Sequence, residues 1–277
     1  MSEPTRRTQA ADVENAAPRT VLLTGAAGAV GTMLRAELPG YGYRLRLFDR
    51  TPITAEPGAI TADLADTEEL TAAARGVDAI VHLAGIPGEA PFADILTVNI
   101  NGTHQLYEAA RAAGVRRVVF ASSNHAVGFT ERPADGGPLR VDTPRRPDTY
   151  YGLSKCFGED LAALYADRHG IETVSLRIGS CYPEPFTVRH LATWLSPADC
   201  GRLVHASLTA ELPHPGHVAV HGISANTRAW WDLAPGRAIG YHPQDDAEPF
   251  AAALLAKYGE PDEDDPEFHY VGGDFTQ

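Results

Sequence analysis

Lysine is nearly missing from this chain. Of its 23 basic side chains only Lys155 and Lys257 are lysines, and arginine supplies the rest. Basic residues are themselves outnumbered by 36 acidic ones, for a net charge of −13. That balance argues against nucleic acid or an anionic membrane surface as a partner, because both select positive proteins. It also means that an anionic ligand must be captured by a local cation, against the overall field. Cysteine is scarce too: Cys156, Cys181 and Cys200 are odd in number and lack metal-ligand spacing. A disulfide framework and a zinc site are therefore excluded, no metal is expected, and a reduced, cytoplasmic setting is implied. No run of 18 apolar residues occurs, so no membrane-spanning helix is expected. Residues 1–19 are polar and Ala-rich, with an Arg6-Arg7 pair but no apolar signal-peptide core, and read as a flexible leader.

What is present is enough apolar material for one large core, 44% of 277 residues. The apolar run Val21–Thr24 ends in Gly25-Ala26-Ala27-Gly28-Ala29-Val30-Gly31, and a helical pattern through Met33, Leu34 and Leu38 follows. Glycines at this spacing between a strand and a helix permit a tight turn and close approach of backbone to a pyrophosphate seated on the helix N-terminus. Gly25, Gly28, Ala29, Val30 and Gly31 are thus candidate cofactor contacts, although a Gly/Ala-rich turn could carry the same letters. The second strand, Arg44–Phe48, ends in Asp49, 18 residues after Gly31. A carboxylate there binds a ribose 2′-hydroxyl and favours NAD over NADP. Arg50 beside it is a possible partner for a 2′-phosphate.

Alternation continues along the chain. Asp63-Leu64 follows a short strand and is placed to flank an adenine; Asp66 caps a helix with Glu68 and Glu69 in its first turn. Ala79–Leu83 is a fourth strand running into Ala84-Gly85, a small-residue turn that would pass under the dinucleotide. Phe92–Ala113 reads as one long helix containing Asn99, closed by Gly114. Arg117–Ala121 is the fifth strand, with Ser122-Ser123-Asn124-His125 at its C-terminal end, the edge where open parallel sheets bind ligands. These are also ordinary turn residues. After a Pro/Arg-rich loop, 130–147, come the Tyr151–His169 helix and a sixth strand, Glu172–Ile178, ending at Gly179-Ser180-Cys181. Beyond it, a helix is expected over Val188–Leu195 and another from Ser196-Pro197-Ala198-Asp199, with serine as cap. A strand at Val218–His221 and a last helix at Ala247–Tyr258 follow, then an acidic run, Glu260–Glu267, before a short C-terminal strand. Strand–helix alternation of this regularity means an α/β fold with a doubly wound parallel sheet of the Rossmann type. Residues 20–277 are expected to form a single domain, with 182–277 mainly a small substrate-covering wall.

One stretch carries chemistry. Tyr151 and Lys155 stand four apart at the start of a helix, so phenol and ammonium share a face. The pattern alone is common on surface helices. In a chain that otherwise uses arginine, however, a lysine here implies that a compact, rotatable ammonium is needed. An ammonium beside a phenol lowers its pKa and makes it a candidate general base.

Thr24-Gly25-x-x-Gly28-x-x-Gly31, Asp49, Ser123 and Tyr151-x-x-x-Lys155, in this order, resemble the extended short-chain dehydrogenase/reductases over residues 20 to 180. Longer runs, including Phe120–His125, Tyr151–Glu159, Arg177–Cys181, Ser224-Ala225-Asn226, Trp230-Trp231-Asp232 and Gly272-Gly273, look like NAD-dependent uronate dehydrogenases. The resemblance implies oxidation of D-galacturonate or D-glucuronate at C1 to the aldarolactone, with NADH formed. It implies that Tyr151 takes the hydroxyl proton, Lys155 holds the nicotinamide ribose and Ser123 bonds the reacting oxygen. Asn124, His125 and Ser180 match positions that contact sugar hydroxyls, Arg189 the residue that grips the carboxylate, and Cys181 a backbone contact to nicotinamide. Leu83, Ala84 and Gly85 complete the cofactor set. The family's helices flanking the sheet often pair subunits, so a homo-oligomer is expected.

Two departures bear on the choice between galacturonate and glucuronate. Pro87 stands where a substrate-touching serine is expected, and the 130–147 loop is longer than the pattern, with Thr130 where an aromatic belongs. Two other functions share parts of the pattern. An NDP-sugar epimerase or dehydratase has the glycines and the Tyr/Lys pair but usually a larger C-terminal lobe. A non-catalytic NAD-sensing regulator has no reason to hold Ser123, Tyr151 and Lys155 together.

Overall fold

The computed structural model describes residues 19–133, 136–214, 216–262 and 265–276; apart from Arg19, the expected leader lies outside them. β1 (Thr20–Thr24) passes through the glycine turn into α1 (Ala29–Glu37). β2 (Arg44–Asp49), β3 (Ile60–Thr61), α2 (Thr67–Ala74) and β4 (Ala79–His82) follow. A long helix is built from α3 (Phe92–Ile95), a π-helical turn (Leu96–Asn101) and α4 (Gly102–Ala113). Then come β5 (Arg117–Ser123), α5 (Tyr150–His169) and β6 (Glu172–Ile178). The last third holds β7 (Ser180–Cys181), α6 (His190–Thr193), β8 (Trp194–Leu195), α7 (Pro197–Thr209) and β9 (His217–Gly222). It closes with α8 (Ala234–Ala238), α9 (Ala251–Tyr258) and α10 (Pro266–His269).

Seven strands pair in parallel in the order β3-β2-β1-β4-β5-β6-β9, the doubly wound sheet expected from the alternation. Strand residues point alternately to the two faces, and both faces are covered. Val21, Leu23, Val81, Val119 and Val174 pack under α1 and α7 through Leu34, Leu38, Leu203 and Val204. Leu22, Ile80 and Val118 pack under α2, α4 and α5 through Leu70, Leu106, Tyr107 and Leu161. This two-sided burial is why the strands read as unbroken apolar runs rather than alternating ones. The order reverses between β1 and β4, so their C-terminal ends splay apart and leave a crevice there. No described helix is long and apolar enough to cross a membrane.

Several expected elements change form. The helix at Val188–Leu195 shrinks to the single turn of α6, because Trp194 and Leu195 pair as β8 with β7. Among the described residues no C-terminal strand forms: after Asp265 caps α10, Tyr270 makes one isolated bridge to Glu131, and Gly273–Thr276 is a 3-10 turn. Pro266 at the first helical turn, preceded by an aspartate cap, accounts for the difference. Within the acidic run, residues 263–264 lie outside the described part. The C-terminal third is more than a wall, since β9 extends the sheet and α7 covers one of its faces.

Candidate active site

A cleft of about 760 Å³ opens at the crevice between β1 and β4 and runs along the C-terminal ends of the strands. Every residue singled out above as a cofactor or substrate contact lines it.

At one end is the glycine turn. Gly25 adopts φ +74°, and a Cβ there would stand 2.6 Å from the Ala84 nitrogen; a Cβ on Gly31 would stand 2.2 Å from the Gly25 carbonyl. These two glycines let backbone pack on backbone. Gly28 differs: it is exposed, and an added Cβ would meet only Gly25 O, at 3.3 Å. It caps α1 without any side-chain hydrogen bond, so the first-turn N–H groups face the cleft with no protein partner among the described residues. That uncapped positive end is a seat for a diphosphate. Asp49 is fixed across from it, accepting from Ala27 N at 2.9 Å and Thr51 N at 2.8 Å. Asp49 lines the cleft with lone pairs left to accept, as ribose recognition requires, and exposed Arg50 lines the same end. Leu83, Ala84 and Gly85 form one side, Asp63 and Leu64 another. The cleft therefore fits a dinucleotide such as NAD.

The 84–87 segment is held from behind by Asn99 in the π-helical turn. Asn99 Oδ1 accepts from Ile86 N at 2.7 Å, while its Nδ2 donates to Ile86 O at 3.0 Å and to Ser154 Oγ at 3.1 Å. The sequence placed Asn99 in the helix without a task. The π turn, a widened spot often found at functional sites, is what aims it inward.

Ser123, Tyr151 and Lys155 meet at the centre. Thr149 caps α5 by accepting from Gly152 N, which fixes where the helix starts and so where Tyr151 points. Tyr151 hydrogen-bonds Ser123, yet burial pushes its phenol up to about 12, against the pull of Ser123 and with a further push from Asp148. Lys155 is buried, which pushes its ammonium down to about 8. Its Nζ donates to Ala121 O at 2.8 Å and lies 5.1 Å over the Tyr151 ring. The expected depression of Tyr151 by Lys155 is thus not a property of the chain alone. In this arrangement burial of the phenol dominates, and the ammonium stands over the ring face.

The sugar end is built by the C-terminal segment. Arg189 is half-buried; desolvation pulls its guanidinium down while Glu267, Asp274 and Asp148 pull it up. It donates to Glu267 O at 2.7 Å, to Tyr270 O at 3.3 Å and to Val271 O. Its Nε and one terminal N–H stay free of protein partners among the described residues. Asn124, expected on the sugar, directs its Nδ2 to Val271 O at 2.8 Å, and its Oδ1 accepts from Ser123. Ser180 Oγ pairs with Thr193 Oγ1 at 2.9 Å, tying β7 to α6. His125 bonds Asp148, Nδ1 to Oδ2 at 2.7 Å, and packs on Phe275 with centroids 4.5 Å apart. Cys181 lines the cleft and directs its sulfur to Met33. Pro87 also lines the cleft, whereas no described residue of the 130–147 loop does; that loop instead supports the segment carrying Tyr270 and Val271.

Glu267, Asp274, Phe275 and Asp148 escaped the sequence reading. Gly272-Gly273 was the available sign that the chain comes back to the site there.

Comparison with known proteins decides the family. The sequence profile of the NAD dependent epimerase/dehydratase family matches residues 21–211. A uronate dehydrogenase from Pseudomonas putida is 48% identical over 92% of this chain and 95% of its own length. The chain belongs to the uronate dehydrogenase family. The crystal structure of uronate dehydrogenase from Agrobacterium tumefaciens superposes with a TM-score of 0.86 at 43% identity, over 93% of this chain and 96% of the other. A variant of the Agrobacterium enzyme has been solved with NAD, covering 93% of this chain and 97% of its own, also at TM-score 0.86. That likeness covers 92% of the chain, whereas the broader family profile stops at residue 211.

Proposed function

We propose that this protein oxidises D-galacturonate and D-glucuronate at C1 to the aldarolactone, with NAD as the oxidant. The observation that carries the reading is one cleft holding a candidate base, Tyr151, and a half-buried cation, Arg189, at the end opposite the glycine turn. NAD supplies the acceptor for the hydride leaving C1 and becomes NADH. The anomeric hydroxyl loses its proton to Tyr151, and C1 becomes the lactone carbonyl, so one substrate yields lactone, NADH and a proton. Ser123 hydrogen-bonds the reacting oxygen and keeps it in line with the phenol. Lys155 keeps one ammonium hydrogen on Ala121 O and has two left for ribose hydroxyls. Arg189 offers its free Nε side to the uronate carboxylate, which the net charge of −13 would otherwise repel. Asn124, His125 and Ser180 face the ring hydroxyls, and Cys181 backbone the nicotinamide.

Residue 20 onward forms one folding unit in this reading. The chain works as a homo-oligomer, supported by exposed apolar side chains on α5 (Leu153, Leu164) and beside it (Phe92, Leu96). Three free thiols suit the cytoplasm. The test is direct: incubate with NAD and each uronate, then with a UDP-sugar, and follow NADH absorbance. Growth with uronates alone supports the reading; absorbance with neither, or only with the UDP-sugar, overturns it.

A further inference from the structure

We propose that Asp148 is a positioning residue for the sugar end: it holds His125 by Nδ1 and so presents Nε2, as an acceptor, to a ring hydroxyl of the uronic acid. The inference rests on the uronate reading above and assigns a task to a residue that lines no part of the cleft.

Asp148 precedes the Thr149 cap of α5, and its side chain is fully buried. Its Oδ2 lies 2.7 Å from His125 Nδ1, and its Oδ1 accepts from Thr149 Oγ1 at 3.0 Å. Three glycines from separate segments enclose the carboxylate. A Cβ on Gly128 would stand 1.9 Å from Oδ2, one on Gly272 1.8 Å from Oδ2, and one on Gly152 3.1 Å from Oδ1. None of the three has a positive φ, so the backbone does not need glycine there. At Gly128 and Gly272 the room is needed by the carboxylate; at Gly152 it is needed first by the His125 carbonyl, 2.3 Å from an added Cβ.

A buried carboxylate is costly unless hydrogen bonds compensate it, and when ionised it can only accept. The proton between the pair therefore sits on Nδ1. In neutral imidazole Nε2 is then a lone-pair acceptor, and it has no hydrogen-bond partner among the described residues. The ring is fixed on two further sides: Phe275 packs at 4.5 Å, and Tyr151 stands edge-on at 5.8 Å and 68°. His125 lines the cleft between the base and the C-terminal turn, where a sugar hydroxyl belongs. Without Asp148 the ring loses what selects its tautomer. An asparagine, turning its amide N–H₂ to Nδ1, would move the proton to Nε2 and convert the acceptor into a donor.

The experiment has two arms. The first is the ¹⁵N spectrum of the imidazole rings with NADH bound, with His125 assigned by its loss in His125→Gln. Unmodified protein should show His125 protonated at Nδ1, and Asp148→Asn should shift the proton to Nε2. The second is a kinetic cycle with galacturonate. Asp148→Asn should lower kcat/KM by about 10- to 100-fold, as loss of an orienting partner does elsewhere. NADH affinity should stay within about 2-fold, and the same change in a His125→Ala background should cost under about 3-fold. His125 protonated only at Nε2 in the unmodified protein overturns the proposal, as does an equal loss in both backgrounds. If Asp148→Asn does not fold, the spectrum of the unmodified protein decides. Failure of the unmodified protein to oxidise uronates would count against the function, while the tautomer would still report on Asp148.

Discussion

Asn99 clasps Ile86 from both sides, accepting from its N–H at 2.7 Å and donating to its carbonyl at 3.0 Å. A side-chain amide thus stands in for a neighbouring strand where the 84–87 segment leaves β4. Asn99→Ala should strand two backbone groups, at about 1–3 kcal/mol each when buried. Because that segment forms one side of the cofactor cleft, NAD affinity should fall along with thermal stability. A variant that melts early yet binds NADH normally in a fluorescence titration would refute the link.

Tyr151 sets the pH dependence. With its phenol held up to about 12 in the chain alone, little phenolate exists at neutral pH, and each step toward alkaline pH increases it. Uronate oxidation should therefore speed up from pH 6 to 9. Tyr151→Phe should retain NAD binding and lose at least about 100-fold in turnover. A flat pH profile in the unmodified enzyme would contradict the assignment.

Asp49 should make NAD the preferred cofactor. A 2′-phosphate brought up to a carboxylate already tied to Ala27 and Thr51 meets like charge it cannot displace. Asp49→Ala should narrow the preference chiefly by weakening NAD. Equal kcat/KM for NAD and NADP in the unmodified enzyme is the result that rules this out.

Arg189 carries two loads, the uronate carboxylate and three carbonyls of the C-terminal segment. Loss of a charge-assisted pair corresponds to roughly 10- to 150-fold in kcat/KM. Arg189→Ala should lower galacturonate oxidation by that much more than galactose oxidation, because the collapse of the segment touches both sugars alike. The ratio of the two substrates, measured in both proteins, isolates the carboxylate; an unchanged ratio removes Arg189 from that role.

The cofactor half was legible because its signals are local. Gly25 to Gly31 carry a turn whose geometry needs glycine, Asp49 ends a strand, and Tyr151 and Lys155 are related by helical period alone. The sugar half was legible only in part, for a physical reason. Arg189 was visible as a cation but not as the anchor of Glu267 and Val271, since backbone carbonyls leave no trace in residue identity. The Val188–Leu195 helix failed because Trp194 and Leu195 found a partner in Ser180 and Cys181, a pairing that helical periodicity cannot disclose. Asp148 carries no local sequence signal of its task. Its glycine enclosure exists only once residues 128, 152 and 272 are brought together.

The C-terminal segment's anchoring has a further consequence, in time. The glycine turn closes between β1 and α1, neighbours along the chain, and β1 is buried at the centre of the sheet. The sugar end closes only when Val271 reaches Asn124, 147 residues away, and Glu267 reaches Arg189, 78 away. Contacts so distant in sequence form late, and a segment tied by a few bonds opens before the central strands do. Amide hydrogens of Val271 and Gly272 should exchange with solvent well ahead of those of β1 and β5. Between those two rates lies a form of the protein that still holds a dinucleotide but has no place for a sugar.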